Sequence, residues 1–350
     1  MFLRQYRKIN KDTAKKLMIH TDSKGSFIKR LYCYYFESRA MEVYDHIIPQ
    51  LDKNNFEQYD SVTIYSYWLY ITSRLAVELK NDKFRDREVH TVSRAHRYDL
   101  YENAAPLKYL PERDYLLNSL DAVYPCSEDG VDSLINTYPA HKEKLEVARL
   151  GTVSRNIVSQ TDFEKLYIVS CSIVRKVKRL DLLIEALVGL EQKKIPYLWT
   201  HIGDGPEYET IKNLAEKKLA KENYQFTGFM KNKEVLTWYQ DNPATVFVNL
   251  SSSEGVPVAI MEASSMSLPV LATDVGGTRE IVNNNINGFL LPENPETAQI
   301  VRYLEKFTQM NKSQYEKMSN NAFRIWNEKS NAKVLYKNFA DKLKEDSLKG

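Results

Sequence analysis

No apolar run in this 350-residue chain approaches the roughly 18 residues that a membrane-crossing helix needs, and no secretory leader is visible at its start. The chain therefore reads as soluble and cytoplasmic. Cysteine is almost missing. Cys33, Cys126 and Cys171 are scattered and odd in number, so they make neither a disulfide framework nor a metal cluster, which fits a reducing compartment. An excess of one charge is also missing: the net charge of +3 implies no field for nucleic acid. No G-x-G-x-x-G follows the early strands, which argues against a nicotinamide-dependent oxidoreductase. No Asp-x-Asp is present, and neither metal nor cofactor is expected. Glycine is sparse, and no Gly-Gly pair occurs before Gly276.

What is present points to a two-domain α/β protein. The length is that of two domains, and an apolar content of 43% fills two cores without difficulty. One stretch organises the rest. An apolar strand, Thr245 to Leu250, runs into Ser251-Ser252-Ser253-Glu254-Gly255-Val256-Pro257-Val258 and a helix that carries Glu262. A second strand, Pro269 to Thr273, then leads into Asp274-Val275-Gly276-Gly277. Serines and a glycine before a helix leave backbone N–H groups free for an anion, and the helix dipole favours negative charge there. Pro257 suits the first turn, where its missing N–H costs nothing. Glu254 stands in the turn and Glu262 lies eight residues on, inside the helix, and eight residues of helix rise about 12 Å. That is too far for two carboxylates acting on one glycosidic bond, which needs roughly 5–9.5 Å. It suits two acceptors gripping the ends of an extended ligand with phosphates between them, the shape of a nucleotide-sugar.

These residues resemble the donor-site signature of retaining glycosyltransferases of family 4: E-G-x-P/G-x-x-x-x-E-A, a strand, then D-x-G-G-x-x-E. Asn287-Gly288-Phe289-Leu290-Leu291 is similar to the strand that follows in that family. The resemblance implies a GT-B fold, with two Rossmann-like domains facing a cleft. It also implies that Gly255, Val256, Pro257 and Val258 line the donor, that Glu254 holds sugar hydroxyls and that Glu262 holds the ribose. In relatives a loop after the second domain's first strand carries an arginine and a lysine on the donor pyrophosphate. Lys178 matches the lysine, but Ile173 stands at the usual arginine position, so that contact is lost or moved to Arg175 or Lys176. Four cations within 175–179 suit a phosphate clamp. Gly203-Asp204-Gly205-Pro206 is similar to the family's turn beside the nucleotide, and relatives hold the base near Gly228-Phe229-Met230-Lys231. His96 matches a family histidine near the transferred sugar, and it follows a strand, where open α/β sheets bind ligands.

The remaining organisation follows from periodicity. The first domain is expected over 1–150, with strands at Ser61 to Tyr65, Glu88 to Ser93 and Asp121 to Pro125 and a helix capped by Ser127. Its front lacks the strand and glycine loop that usually begin the family, so an abbreviated acceptor domain is expected. The first 30 residues hold nine Lys/Arg and two Asp. They read as a solvated helical face, or as a contact with the inner face of a membrane. Residues 151–164 read as a linker, 165–330 as the donor domain, and 331–350 as a terminal helix returning to the first domain. The expected activity is transfer of a glycosyl unit from a nucleotide-diphosphate sugar, a UDP-sugar by preference, to a lipid-linked or saccharide hydroxyl in surface polysaccharide or glycolipid assembly. A non-catalytic or partner-dependent subunit and a sugar-nucleotide epimerase stay open at this point.

Overall fold

Runs of β-branched and apolar residues alternate with amphipathic stretches, and strands and helices alternate accordingly in the computed structural model, which describes residues 26–56, 58–154, 158, 161 and 163–346. The basic opening segment up to Gly25 lies outside the described residues, as does much of the expected linker (155–157, 159, 160 and 162). Two units form. One runs up to Ala148 and takes in the chain from Lys337 onward; the other is Arg149–Tyr336.

In the first unit the order is α1 (Phe27–Leu51), β1 (Ser61–Ser66), α2 (Ile71–Asn81), β2 (Glu88–Ala95), α3 (Arg97–Leu100), α4 (Arg113–Ser119), β3 (Ala122–Pro125) and α5 (Glu128–Thr137). The three strands are parallel, with β2 in the centre, and Ser66 lies beside Ser93 at their carboxyl ends. Phe36 of α1, Val77 of α2, Leu116 and Leu117 of α4 and Leu134 of α5 share a core with Ala95 and Val123. Ser127 caps α5 through its Oγ, which accepts from the Gly130 amide at 3.0 Å. Arg74 of α2 is buried, and its guanidinium donates to Glu37 at 2.7 Å and Glu78 at 2.8 Å, partners that a buried cation requires. The second half of the last helix belongs to this unit. Phe339 and Leu343 pack around Val92, Tyr124 and Ala148, and Lys342 pairs with Glu146 at 2.8 Å.

The second unit continues with β4 (Leu166–Cys171), α6 (Leu180–Gln192), β5 (Tyr197–Ile202), α7 (Tyr208–Lys218), β6 (Tyr224–Phe226), α8 (Asn232–Asp241), β7 (Val246–Asn249), α9 (Val258–Ser265), β8 (Val270–Thr273), α10 (Thr278–Ile281), β9 (Gly288–Leu291), α11 (Thr297–Thr308), α12 (Lys312–Lys329) and α13 (Ala332–Asp346). All six strands are parallel, in the order β6-β5-β4-β7-β8-β9. Strand residues point alternately to two cores. Ile168, Trp199, Val246, Val248 and Leu271 join α6 and α11 on one face, while Val169, Phe247, Val270 and Ala272 join α8, α9 and Trp326 of α12 on the other. Burial on both faces explains why these strands read as continuous apolar runs. At the entry to this unit Thr152 bridges to Asn331, and Arg149 pairs with Glu280 at 3.0 Å. Among the described residues no helix is long and apolar enough to cross a membrane.

Candidate active site

Strand order reverses between β4 and β7, and their carboxyl ends open the crevice where doubly wound sheets take ligands. Ser170, Cys171, Ser172, Lys178, Val248, Asn249 and Leu250 line it. Sequence-distant loops are locked together around it. The Ser252 amide donates to Val177 O at 2.9 Å, which ties the serine loop to the basic loop. Lys178 Nζ lies 2.6 Å from Glu254 Oε1, so these two predicted residues form an ion pair. Asn249, the last residue of β7, donates through Nδ2 to the same Glu254 oxygen at 3.3 Å. Its Oδ1 accepts from the Ser251 amide at 3.1 Å and from the Ser251 hydroxyl at 2.5 Å. Asn249 therefore positions both the serine loop and the glutamate. Sequence reasoning missed it, although a polar residue closing an apolar strand was the available signal.

The helix begins later than the spacing argument assumed. α9 starts at Val258, with Pro257 as its N-cap, so residues 254–257 are loop. Only four helical steps then precede Glu262, and the 12 Å helical rise does not apply. The amides of Gly255, Val256, Val258 and Ala259 donate to no acceptor among the described residues, as an anion site needs. Glu262 Oε1 accepts from Asn232 Nδ2 at the start of α8. Burial raises the Glu262 carboxyl above its ordinary value, and the Asn232 hydrogen bond acts in the opposite direction. Gly276 closes the site from the β8 side. Its φ is +51°, and a Cβ there would stand 2.1 Å from the Glu254 carbonyl oxygen, while Gly277 N donates to Gly255 O at 2.7 Å.

The basic loop divides by role. Arg175 and Lys176 are exposed and form no ion pair among the described residues. Arg179 faces inward. Its guanidinium donates to Leu250 O, to Ser251 O at 2.9 Å, to Glu293 O at 2.8 Å and to Asn294 Oδ1 at 3.3 Å. It staples the exits of β7 and β9 and is not a free phosphate ligand. Gly203 and Gly205 form the floor under β4's exit: a Cβ on Gly203, at φ +139°, would meet Ser172 O at 2.0 Å, and one on Gly205 would meet Val174 O at 2.6 Å. Burial pushes the Cys171 thiol up to about 12, so it is no thiolate nucleophile.

His96 lies in the first unit, directly after β2. Its ring does not bond Asp99, the neighbour that a merely structural loop histidine would use. Asp99 instead accepts from the backbone amides of His96 and Leu69, each at 2.5 Å. Both ring nitrogens of His96 are buried and have no hydrogen-bond partner among the described residues. Burial first, and then the Arg94 charge, lower its pKa to about 4, so the ring is a neutral imidazole near pH 7.

This arrangement of parallel sheets and loops is the GT-B fold of glycosyltransferases, and residues 155–325 match the family model for glycosyl transferases group 1. That match lies within the second unit and covers just under half of the chain. The chain is 26% identical over 228 residues to the putative colanic acid biosynthesis glycosyltransferase WcaL of Escherichia coli K12, covering 61% of this chain and 54% of that protein. It is 28% identical over 189 residues to the GtfA subunit of the UDP-N-acetylglucosamine–peptide N-acetylglucosaminyltransferase of Streptococcus agalactiae, covering 52% of this chain and 36% of that one. The chain thus spans about half the length of the first and about a third of the second. The crystal structure of Anabaena HepE in complex with UDP superposes with a TM-score of 0.66 at 17% identity, covering 87% of this chain and 82% of that chain, a likeness of fold.

Proposed function

We propose that this protein transfers a glycosyl unit, with retention, from a UDP-sugar to a saccharide or lipid-linked hydroxyl in surface polysaccharide or glycolipid assembly. The observation that carries this reading is the meeting of Lys178, Glu254 and the free amides before α9 at the sheet's switch point. Further support comes from the UDP and UDP-glucose bound to Anabaena HepE and from the colanic acid role in the name of WcaL. In the ligand-free protein Lys178 neutralises Glu254. A diphosphate would take Lys178 over, leaving Glu254, still held by Asn249, to accept from sugar hydroxyls. Charge that develops on the leaving diphosphate is then stabilised by Lys178, Arg175 and the helix amides, with no need for a bound metal, so transfer should persist in a chelator. The neutral His96 is available to a sugar hydroxyl, and Glu262 receives the ribose.

The test separates the two glutamates. Glu262→Ala should weaken UDP binding by about 1.5–3 kcal/mol, the range for a charge-assisted hydrogen bond, and should weaken UDP-sugar equally. Glu254→Ala should spare UDP and lose transfer. Calorimetry that finds equal UDP affinity in Glu262→Ala and the parent removes Glu262 from the ribose. A second reading rests on the name of a relative, the GtfA subunit. In that case the chain binds UDP-sugar but transfers the sugar to an acceptor, with release of free UDP, only when a second protein is added.

A further inference from the structure

The carboxyl ends of β1 and β2 carry a group of aromatic rings that the donor site does not use. Tyr67 and Trp68 follow β1 directly and are 45% and 41% exposed. Their rings meet edge to face with centroids 5.6 Å apart, and the His96 ring tilts against both, at 4.6 and 4.5 Å. Single exposed rings are ordinary, but adjoining rings left half in water make a candidate binding surface. The turn that presents them is fixed from several directions. The Trp68 carbonyl accepts from the hydroxyls of Ser66 at 2.7 Å, Thr72 at 2.9 Å and Ser73 at 2.7 Å, and the next amide, Leu69, donates to Asp99. A plain connection between β1 and α2 has no use for four such bonds. They hold two ring faces in one pose, which lowers the entropy cost of binding. The His96 ring packed against them has both nitrogens buried and without a hydrogen-bond partner among the described residues, an unmet polar group that a ligand hydroxyl would satisfy once the rings admit it.

We propose that Tyr67 and Trp68 form a carbohydrate platform that holds the acceptor saccharide; this rests on the transferase reading above. A pyranose presents a flat face of C–H groups and a rim of hydroxyls. The first matches exposed, rigid ring faces, and the second matches a neighbouring imidazole. An acyl chain would need an enclosed apolar groove, and these rings stand open. Apart from His96, the residues assigned to the donor lie in the second unit, so the ring faces of Tyr67 and Trp68 fall to the other reactant.

Trp68 is the only tryptophan of the first unit, so an emission change that Trp68→Leu removes reports on this face. The full-length protein is titrated with the methyl pyranosides of glucose, galactose, mannose and N-acetylglucosamine and with octyl glucoside, with octyl tetraethylene glycol as the sugar-free control. A saturable emission change is expected with at least one saccharide, none with the control and none with UDP alone. Trp68→Leu should abolish the change. It should also raise the acceptor KM about tenfold, the scale of one aromatic contact, with kcat and calorimetric UDP affinity unchanged. Tyr67→Leu serves as the second variant if Trp68→Leu unfolds. No saturable response to any saccharide, an equal response to the control, or an unchanged acceptor KM in a folded variant would overturn the proposal. Loss of UDP binding by the parent would instead count against the transferase reading, and the titration separates the two.

Discussion

At the scale of single residues, adjacent cations in one loop have opposite work. Lys178 and Arg179 are neighbours of the same charge, yet one faces Glu254 in the crevice and the other donates to three carbonyl oxygens and one amide oxygen. Arginine's planar fork suits that stapling role, and lysine's point charge suits a phosphate. Lys178→Ala should lose the preference for UDP over uridine with little change in melting temperature. Arg179→Ala should keep that preference but destabilise the second unit by about 1–3 kcal/mol, because several carbonyls lose their donor. Calorimetry and thermal melts on the two variants check the split; a normal melt for Arg179→Ala would place its guanidinium elsewhere. Periodicity and motif spacing could not divide these roles. Arg175 and Arg179 look alike in sequence, and only the packing of Leu250 and Glu293 against one of them tells them apart.

At the scale of elements, the active loops are shaped by close backbone approach. Gly276 presses on the Glu254 carbonyl and adopts a left-handed φ, so the turn after β8 sets the height of the turn after β7. Gly276→Ala adds a methyl group 2.1 Å from that oxygen, which forces the Glu254–Gly255 segment outward. Strain of this kind costs on the order of 1–3 kcal/mol. Turnover should fall more than UDP affinity, since Glu254 moves while Glu262 stays on its helix. Parent-like turnover by a folded Gly276→Ala would show that the loop gives way without consequence. Much of this architecture was legible beforehand. β1, β2 and β3 fall within two residues of the expected strands, and the Ser127 cap is the one its residue type and position announce. Tertiary choices were not legible: the start of α9 at Val258, the Asn249 bridge to Glu254, and the aromatic turn after β1 depend on residues far apart in the chain. The motif residues Glu254 and Lys178 could be named from sequence, but their ion pair across 76 positions could not.

At the scale of the whole molecule, the two units should respond differently to acid. In the second unit His201 is fully buried, with Nδ1 2.9 Å from Ser170 Oγ, and burial lowers its pKa from 6.5 to about 4. The unfolded chain therefore binds a proton that the folded unit refuses between those values. Stability from this group is complete above pH 6.5 and is lost as pH falls towards 4, by on the order of 3 kcal/mol. The first unit holds two groups of opposite sign. His96, lowered to about 4, also loses stability on acidification. Asp99 is raised from 3.8 to about 6 by burial, against the pull of Arg113, so the folded unit binds its proton first and gains stability as pH falls through that window. These two effects oppose each other between pH 6 and 4. Thermal melts read at several pH values should show the first unit, followed through the emission that Trp68→Leu removes, nearly constant over that range, while the second unit loses the His201 contribution, offset in part by Glu262, whose raised carboxyl gains stability as pH falls. His201→Asn should flatten the second unit's response, and His96→Asn should leave Asp99 unopposed, so that the first unit becomes more stable as pH falls from 6 to 4. A first unit that fails to gain stability between pH 6 and 4 in His96→Asn would show that Asp99 keeps its charge through the window.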